Sequence, residues 1–264
     1  VMRGFQFELE KRLVSTDLHI LISPTSSFQG FEQGFVPASN LSGHPALIDL
    51  QNLKQVKRVS IVLSTEAVIR MGSKVAGAQV RGVDEQILST IEGKAVERAL
   101  PQMLLDRDSP DGLRLPGIWL GKEMAYDLSA IPGDLVTLTS PSVMEGPLGN
   151  IPRMKRFVIE GIYSTGVPEQ ELHQAFTLSK NVESFLRKRD RANEVSVTLH
   201  DPFQSIGLAN TIQKLLPDVK VQSWAQLNGN LFASMKLERF AMFLILLFSV
   251  LIATLNIVST VSLI

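Results

Sequence analysis

The last 25 residues of the chain form an uninterrupted apolar segment that constrains its fold more than any other feature. From Phe240 to Ile264 the sequence contains no charged residue, no glycine and no proline. As an α-helix this segment would be about 37 Å long, enough to cross a hydrocarbon core of roughly 30 Å with some tilt. A buried helix of a globular core fits less well, because such helices rarely remain uncharged over more than about 14 residues. The sequence therefore predicts a transmembrane segment from about residue 240.

The predicted helix begins well before the membrane. Between Ser223 and Phe240 apolar residues recur at every third or fourth position, a spacing typical of a helix. Ser223 and Gln226 have the spacing of a capping box, which predicts a helix start at Trp224. A single helix from Trp224 to Ile264 would be about 60 Å long, so about half of it must lie outside the hydrocarbon core.

The remaining residues are numerous enough for one large domain or two small ones. Basic and acidic residues balance at 26 each, so composition gives no indication of nucleic-acid binding. The chain has no cysteine, which excludes a disulfide framework and thiol catalysis but leaves the compartment open. Because the chain starts at Val1 and stops inside an apolar run, we expect a fragment of a larger membrane protein.

Short strands and helices predict an α+β domain of mostly antiparallel strands between residues 18 and 222. Val1 to Leu13 has the pattern of a short amphipathic helix, and Phe28 to Pro45 that of a loop whose aromatic side chains pack on the domain. Asp84 and Asn181 are each predicted to cap a short helix, and Lys122 to Leu128 is predicted to be a helix. Ile69 to Ser73 is predicted to be the turn of a hairpin. The longest strand candidates are Val56–Ala67, Lys74–Val83, Asp134–Thr139, Arg156–Tyr163 and Glu194–His200.

A long proline-rich segment, Ser140 to Lys155, lies between two of these strands. Its three prolines disfavour a regular ladder, and its apolar side chains would be exposed in a free loop. One interpretation is a protruding, rather stiff arm that docks a partner by main-chain pairing with a sheet edge. The other is a flap that folds on its own domain, and composition favours neither.

No group of catalytic or metal-ligating residues is recognisable in the sequence. There is no HExxH, HxH, GxSxG, SxxK or Walker A pattern. The acidic residues Asp106, Asp108 and Asp111 lack the spacing of an EF-hand, so solvated turn residues are the better interpretation. We therefore predict no catalytic residue, no metal site and no cofactor in this chain. The histidines, which lie far apart, are His19, His44, His173 and His200.

A series of short motifs, in a fixed order, resembles one family. The chain starts VMRGFQFELEKRL, continues through IWLGKEMAYDL, FVIEGIYSTG and TLHDP, and ends in a helix that carries Trp224, Leu231-Phe232, the run Lys236-Leu237-Glu238-Arg239 and Leu255-Asn256-Ile257. In this order the motifs resemble those of lipoprotein-releasing ABC transporter permeases of the LolC/LolE type. The likeness covers the whole chain.

The resemblance implies a mechanotransmitting permease with a MacB-like periplasmic core between its first and second transmembrane helices. Residues 1–17 would be a stalk helix that leaves the first transmembrane segment, residues 18–222 the periplasmic domain, and residues 223–264 the long helix that enters the bacterial inner membrane. The family also implies a separate cytoplasmic ATPase that binds ATP and magnesium, and a second permease subunit, identical or different. A periplasmic carrier would receive the lipoprotein substrate.

In carrier-binding permeases of this family, the loop that corresponds to residues 140–155 is a hook that grips the carrier. Leu148 and Asn150 stand where the family has Met and Arg, which keeps an apolar tip and removes a charged donor. The hook residues implied by the resemblance are Pro147, Leu148, Gly149, Asn150, Ile151 and Pro152.

The long helix is the expected path of the lipoprotein acyl chains, because its apolar side chains are adaptable. Packing against neighbouring helices is the alternative for each of them. Asn256 is polar and lies deep in the apolar segment, which predicts contact with another helix rather than with lipid. The residues expected along the path are Leu231, Phe232, Met235, Met242 and Phe243.

Three functions are compatible with the sequence. The first is a non-enzymatic permease subunit that couples ATP hydrolysis elsewhere to lipoprotein release. The second is a MacB-like exporter or an FtsX-like regulator of cell-wall hydrolases, against which the hook argues. The third is a membrane-anchored envelope enzyme, which the lack of catalytic motifs disfavours.

Overall fold

The computed structural model describes residues 18–32, 34–100, 115–146, 149–227 and 229–262. These residues belong to two compact units, which divide between Trp224 and Ala225. The described part of the first unit is mixed α+β, and that of the second is helical. The predicted helix at Val1–Leu13 and the three aspartates between residues 106 and 111 lie outside the described residues.

The strands of the first unit are mostly antiparallel, which confirms the predicted fold class; β4 with β9 and β6 with β8 are the parallel pairs. The strands are β1 Ile20–Pro24, β2 Val36–Pro37, β3 Val56–Met71, β4 Lys74–Val83, β5 Ala95–Arg98, β6 Gly117–Gly121, β7 Leu135–Gly146, β8 Gly149–Tyr163, β9 Gln174–Leu178, β10 Arg191–Ala192, β11 Glu194–Leu199 and β12 Val219–Ser223.

Short helices connect and cover these strands. They are α1 Ala38–Ser42, α2 Pro45–Gln51, α3 Glu85–Glu92, α4 Lys122–Leu128, α5 Pro168–His173, α6 Ser179–Leu186 and α7 Ser205–Leu215, with a 3₁₀ turn at Pro202–Gln204. The chain then continues into α8 Trp224–Leu227 and α9 Gly229–Ser262.

Six of the strands pair in a closed ring, in the order β3, β4, β9, β6, β8, β7 and back to β3. The ring closes because Val68 on β3 lies opposite Thr139 on β7. Side chains that alternate inward from these strands fill the interior, as expected for a small closed sheet. Fully buried examples are Ile69, Val80, Leu120, Leu138, Phe157 and Ile159.

A second, open sheet shares one strand with the ring. The order is β12, β1, β11 and then the first half of β3, whose Val56–Val62 segment pairs with β11. A separate core of buried aliphatic side chains, which includes Ile20 and Val197, lies against this sheet. Because β3 is 16 residues long, one strand belongs to both layers.

At the junction between the two halves of β3, the side-chain amide of Asn193 takes the place of a neighbouring strand. Asn193 accepts a hydrogen bond from the Ser64 amide and donates one to the Ser64 carbonyl, each at 2.8 Å. Beside it, Arg81 on β4 and Glu194 on β11 approach to 3.8 Å, and both are largely buried. Ring and open sheet are therefore joined by backbone, amide and charge contacts.

Several local predictions are confirmed. The hairpin of β3 and β4 turns at Gly72, which has the positive φ that such turns require. The carboxylate of Asp84 accepts a hydrogen bond from the Ile87 amide at 2.7 Å and caps α3. The predicted helix over Lys122–Leu128 is α4, with the same bounds.

Two local predictions are wrong. The segment from Phe28 to Pro45 is not wholly a loop: it contains β2 and α1, because β2 finds a partner in β10, far along the chain. Asn181 does not cap α6, which begins at Ser179; its amide donates instead to the Thr177 hydroxyl at 2.8 Å. The aromatic residues of the first segment pack on the domain as predicted, with Phe28 buried.

Candidate functional site

The segment expected to form a hook is the outer part of a hairpin built by β7 and β8. Inside the ring the two strands pair from Leu135 with Val158 to Thr139 with Met154. Pairing resumes farther out, from Val143 with Pro152 to Gly146 with Gly149. The prediction that the prolines prevent a ladder is therefore wrong. We call the outer part, residues 140–155, the arm.

A bulge separates the arm from the ring. Between Thr139 and Val143 three residues of β7 face a single residue of β8, Arg153. Surplus residues of this kind bend a strand and increase its twist. Pro141 lies within the bulge, where its missing N–H breaks no ladder hydrogen bond. The bulge therefore accommodates this proline and changes the direction of the arm relative to the ring.

Beyond the bulge the arm is a ribbon of two strands. The pairing of β7 with β3 ends at Thr139, and that of β8 with β6 begins at Val158. Among the described residues, Val143–Gly146 and Gly149–Pro152 pair only with each other. Unpaired strand edges are templates for an added strand, and a two-stranded ribbon gains stability from a third. This geometry favours the interpretation as a docking arm.

The base of the arm is fastened to helix α6. The Lys155 ammonium donates a hydrogen bond to the Ser184 hydroxyl at 2.7 Å and lies 5.8 Å from the centre of the Phe157 ring. Burial at this position lowers the pKa of Lys155. Met154, the preceding residue, is exposed on the other side of the strand. The arm thus starts from a fixed base with an apolar side chain accessible beside it.

The implied hook residues divide into two groups. Pro147 and Leu148 lie outside the described residues. Gly149, Asn150, Ile151 and Pro152 are strand residues of β8, each opposite a residue of β7. Their part in carrier binding stays a prediction.

Helix α9 carries the predicted membrane span. Its stretch from Leu237 to Ser259 is 23 residues long, has a mean hydropathy of 2.6 and is 0% buried. The hydroxyls of Ser249 and Thr254 donate to carbonyls four residues earlier, each at 2.8 Å, so they need no water in an apolar environment. By length and composition, this helix is able to cross a membrane.

The residues expected along the acyl-chain path all lie on α9. Met242 and Phe243 are within the apolar stretch and have 45% and 59% of their surface exposed. Leu231, Phe232 and Met235 precede it, and their side chains lie outside the described part. Asn256 is exposed on the same helix, so a neighbouring helix as its partner stays a prediction.

The end of the first unit is anchored at Trp224. Its amide donates to the His19 carbonyl at 2.9 Å, and its indole N–H donates to the Pro202 carbonyl at 3.0 Å. His19 itself is buried, and its Nδ1 accepts a hydrogen bond from the Leu199 amide. The strands on either side, β1 and β12, pair with each other from Ile20 with Ser223 onward. The two ends of the domain therefore lie side by side.

Among the described residues, no group of three His, Asp or Glu side chains is arranged to hold a metal ion. One group of polar residues was missed by the sequence analysis, the basic loop Arg187–Arg191. The run RKRDR after a predicted helix was the signal that could have indicated it.

Comparison with known proteins relates this arrangement to one group of membrane proteins. The lipoprotein-releasing system transmembrane protein LolC of Neisseria meningitidis is 27% identical over 98% of the chain. LolC of Xylella fastidiosa is 26% identical and LolE of Haemophilus influenzae 23% identical over the same share. The chain is similar to the LolC and LolE transmembrane proteins. The chain spans 59% of the length of each of these relatives.

The similarity to LolC and LolE confirms the resemblance noted from the motifs. No protein-family model matches the chain. Among solved structures, the periplasmic region of MacB from Actinobacillus actinomycetemcomitans can be superposed on 81% of this chain. The match includes 92% of the MacB region, with a TM-score of 0.42 and 15% identity. The extracellular domain of YknZ, a noncanonic ABC-type transporter from Gram-positive bacteria, covers 78% and 99%, with a TM-score of 0.44 and 11% identity.

Proposed function

We propose that this chain is the periplasmic domain and the following membrane helix of a permease subunit in a lipoprotein-releasing ABC transporter. The observation that carries the proposal is the similarity to LolC, which extends over 98% of the chain and so includes both the arm and the apolar helix. The subunit is not itself an enzyme. ATP and magnesium are bound by a separate cytoplasmic subunit, and the large domain faces the periplasm of a bacterial inner membrane.

The geometry supports separate roles for the arm and for the apolar helix. The arm offers unpaired strand edges to a periplasmic carrier, and the exposed apolar helix lies against lipid, the lipoprotein acyl chains and a second permease subunit. Movement of the membrane helix enters the domain along the chain at Trp224, the last residue of the first unit, which donates hydrogen bonds to the carbonyls of His19 and Pro202. Because β1 lies beside β12, both ends of the domain receive that movement together.

The function is tested with the full-length protein, reconstituted in proteoliposomes together with its ATPase and partner permease. We expect ATP-dependent transfer of a fluorescent lipoprotein to a soluble carrier. An ATPase variant that binds but does not hydrolyse ATP is the matched control and should give no transfer. ATP hydrolysis without any transfer of lipoprotein would contradict the proposal and would favour an exporter or a regulator of cell-wall hydrolases.

Carrier docking is tested by site-specific photo-crosslinking. A photoreactive amino acid at Leu148 should capture the carrier, because the resemblance places this residue at the apolar tip of the hook. The same amino acid at Val75, an exposed apolar residue of the β3–β4 hairpin, is the control and should capture little. The two adducts are compared by mass spectrometry after irradiation in cells. Equal capture at both positions, or none at Leu148, would exclude the arm as the docking site.

A further inference from the structure

A strongly basic loop, Arg187–Arg191, connects α6 to β10. It contains four cationic residues and one aspartate within a chain whose formal net charge is zero. Neither the arm ladder nor the membrane helix uses these residues. Their concentration at one place therefore needs an explanation of its own.

The loop has a fixed conformation. Arg187 and Asp190 both have φ of 52°, which is uncommon for residues other than glycine. The carbonyl of Asp190 accepts a hydrogen bond from the Ala38 amide at 3.0 Å. The ammonium of Lys188 lies 3.9 Å from the centre of the Phe35 ring, a cation–π contact. The loop is therefore held at two points, and Arg187 and Arg189 take their positions from it.

Two open cavities, of about 730 Å³ and 290 Å³, lie beside the loop, and Arg187 and Arg189 line both of them. The larger volume is within the roughly 300–1,000 Å³ typical of small-ligand sites. Besides the two arginines, the larger cavity is lined by Lys180, Glu183 and Ser184. The smaller is lined by Glu32, Lys188 and Arg191.

The positive charge at the larger cavity is not neutralised by ion pairs. In the described part of the chain, Arg187, Arg189 and Lys180 form none, whereas Arg191 pairs with Glu32 at 3.0 Å. One carboxylate, that of Glu183, lines this cavity. Three cations beside one carboxylate leave an excess of positive charge, which favours an anionic ligand.

Neighbouring groups add to this field. Lys155, which does not line the cavity itself, donates its hydrogen bond to Ser184, which does. The pKa of Lys188 is lowered, first by burial and then by the guanidiniums of Arg153 and Arg191. The basic groups of the arm base and of the loop are thus close enough to repel one another.

We propose that the larger cavity binds a phosphate-type oxyanion, presented either by a free phosphate compound or by a phospholipid headgroup. Arg187 and Arg189 supply planar guanidiniums, which pair with two phosphate oxygens at once, and Lys180 supplies a point charge. The Ser184 hydroxyl is a further polar group at the wall of the cavity. The site is independent of carrier docking and does not rest on the proposed transport function.

The proposal is tested by calorimetric titration of the full chain in a neutral detergent with two probes. Inorganic pyrophosphate represents a free phosphate compound, and glycerophosphoglycerol, a phosphodiester, represents a lipid headgroup. We expect saturable binding of pyrophosphate that weakens as sodium chloride is raised. The variant R187N/R189Q should bind about a hundredfold more weakly, at about tenfold for each charged hydrogen-bonding group removed. Asparagine is used at Arg187 because it tolerates the positive φ of that position.

A double variant of exposed lysines outside the cluster, K57Q/K220Q, is matched in charge and should bind like the unaltered chain. Binding of both probes assigns the site to a headgroup, and binding of pyrophosphate alone assigns it to a free phosphate compound. Equal affinity in R187N/R189Q and K57Q/K220Q would overturn the proposal, provided that circular dichroism shows both to be folded. If neither probe shows saturable binding, the proposal is also overturned, and an acidic protein surface becomes the favoured partner.

Discussion

Shortening the arm should strongly reduce transfer of lipoprotein to the carrier while the domain remains folded. The change replaces residues 140–153 by an Asn-Gly turn, which removes the bulge and the outer ladder and keeps the pairing of Thr139 with Met154. Because the outer ribbon pairs with no third strand among the described residues, its removal exposes little of the ring core. We expect carrier-dependent release to fall by about tenfold or more, as for loss of a central interface element.

The measurement is release from proteoliposomes, with ATP hydrolysis recorded in the same samples. Basal hydrolysis should be unchanged, because the proposed function places the arm in the periplasm and ATP hydrolysis on a separate cytoplasmic subunit. V75S, in the other long hairpin, removes an exposed apolar side chain and should leave release unchanged. Normal release from the shortened protein would exclude the arm from carrier transfer.

Replacing Gly121 by alanine should strongly destabilise the first unit, because the atoms that a Cβ would meet belong to the backbone. A Cβ at this position would lie 2.1 Å from the carbonyl oxygen of Glu171 and 2.6 Å from its Cα. Glu171 has little freedom to move, because its buried carboxylate accepts hydrogen bonds from the amides of Thr165 and Gly166 at 2.6 and 2.7 Å. We expect the free energy of unfolding to fall by about 3 kcal/mol or more.

The matched control is G207A. Gly207 lies in helix α7, and a Cβ there would meet no atom within 4 Å. Alanine is the better helix former, so this variant should be unchanged or more stable by up to about 1 kcal/mol. Denaturant unfolding followed by circular dichroism and tryptophan fluorescence compares the two. A loss below about 1 kcal/mol in G121A would show that α5 shifts easily away from β6.

Local patterns in the sequence predicted the elements that local interactions form. The cap at Asp84 and the helix over Lys122–Leu128 each depend on neighbouring residues, and both were found. The closure of the ring was not predictable in this way, because the pairing of Val68 with Thr139 joins distant parts of the chain. The same reason explains the missed strand β2, whose partner β10 lies about 150 residues farther along.

The arm shows how a correct rule led to a wrong prediction. Proline does interrupt a ladder, but Pro141 lies in a bulge and Pro152 lies where β8 pairs with β7 alone among the described strands. The identity of the hook residues came from the resemblance, since neither composition nor strand pairing distinguishes a docking arm from any other hairpin. The basic cavity combines α6 with its following loop, and its shape could not be read from the run RKRDR alone.

The shared strand β3 determines what kind of motion the domain can make. Its first half belongs to the sheet that continues through β11 and β1 to β12, and its second half belongs to the ring from which the arm leaves. Because Asn193 is bonded to both backbone groups of Ser64, the midpoint of the strand resists bending. The open sheet and the ring should therefore move together, and we expect a flexible joint between β12 and the arm, if the domain has one, outside β3.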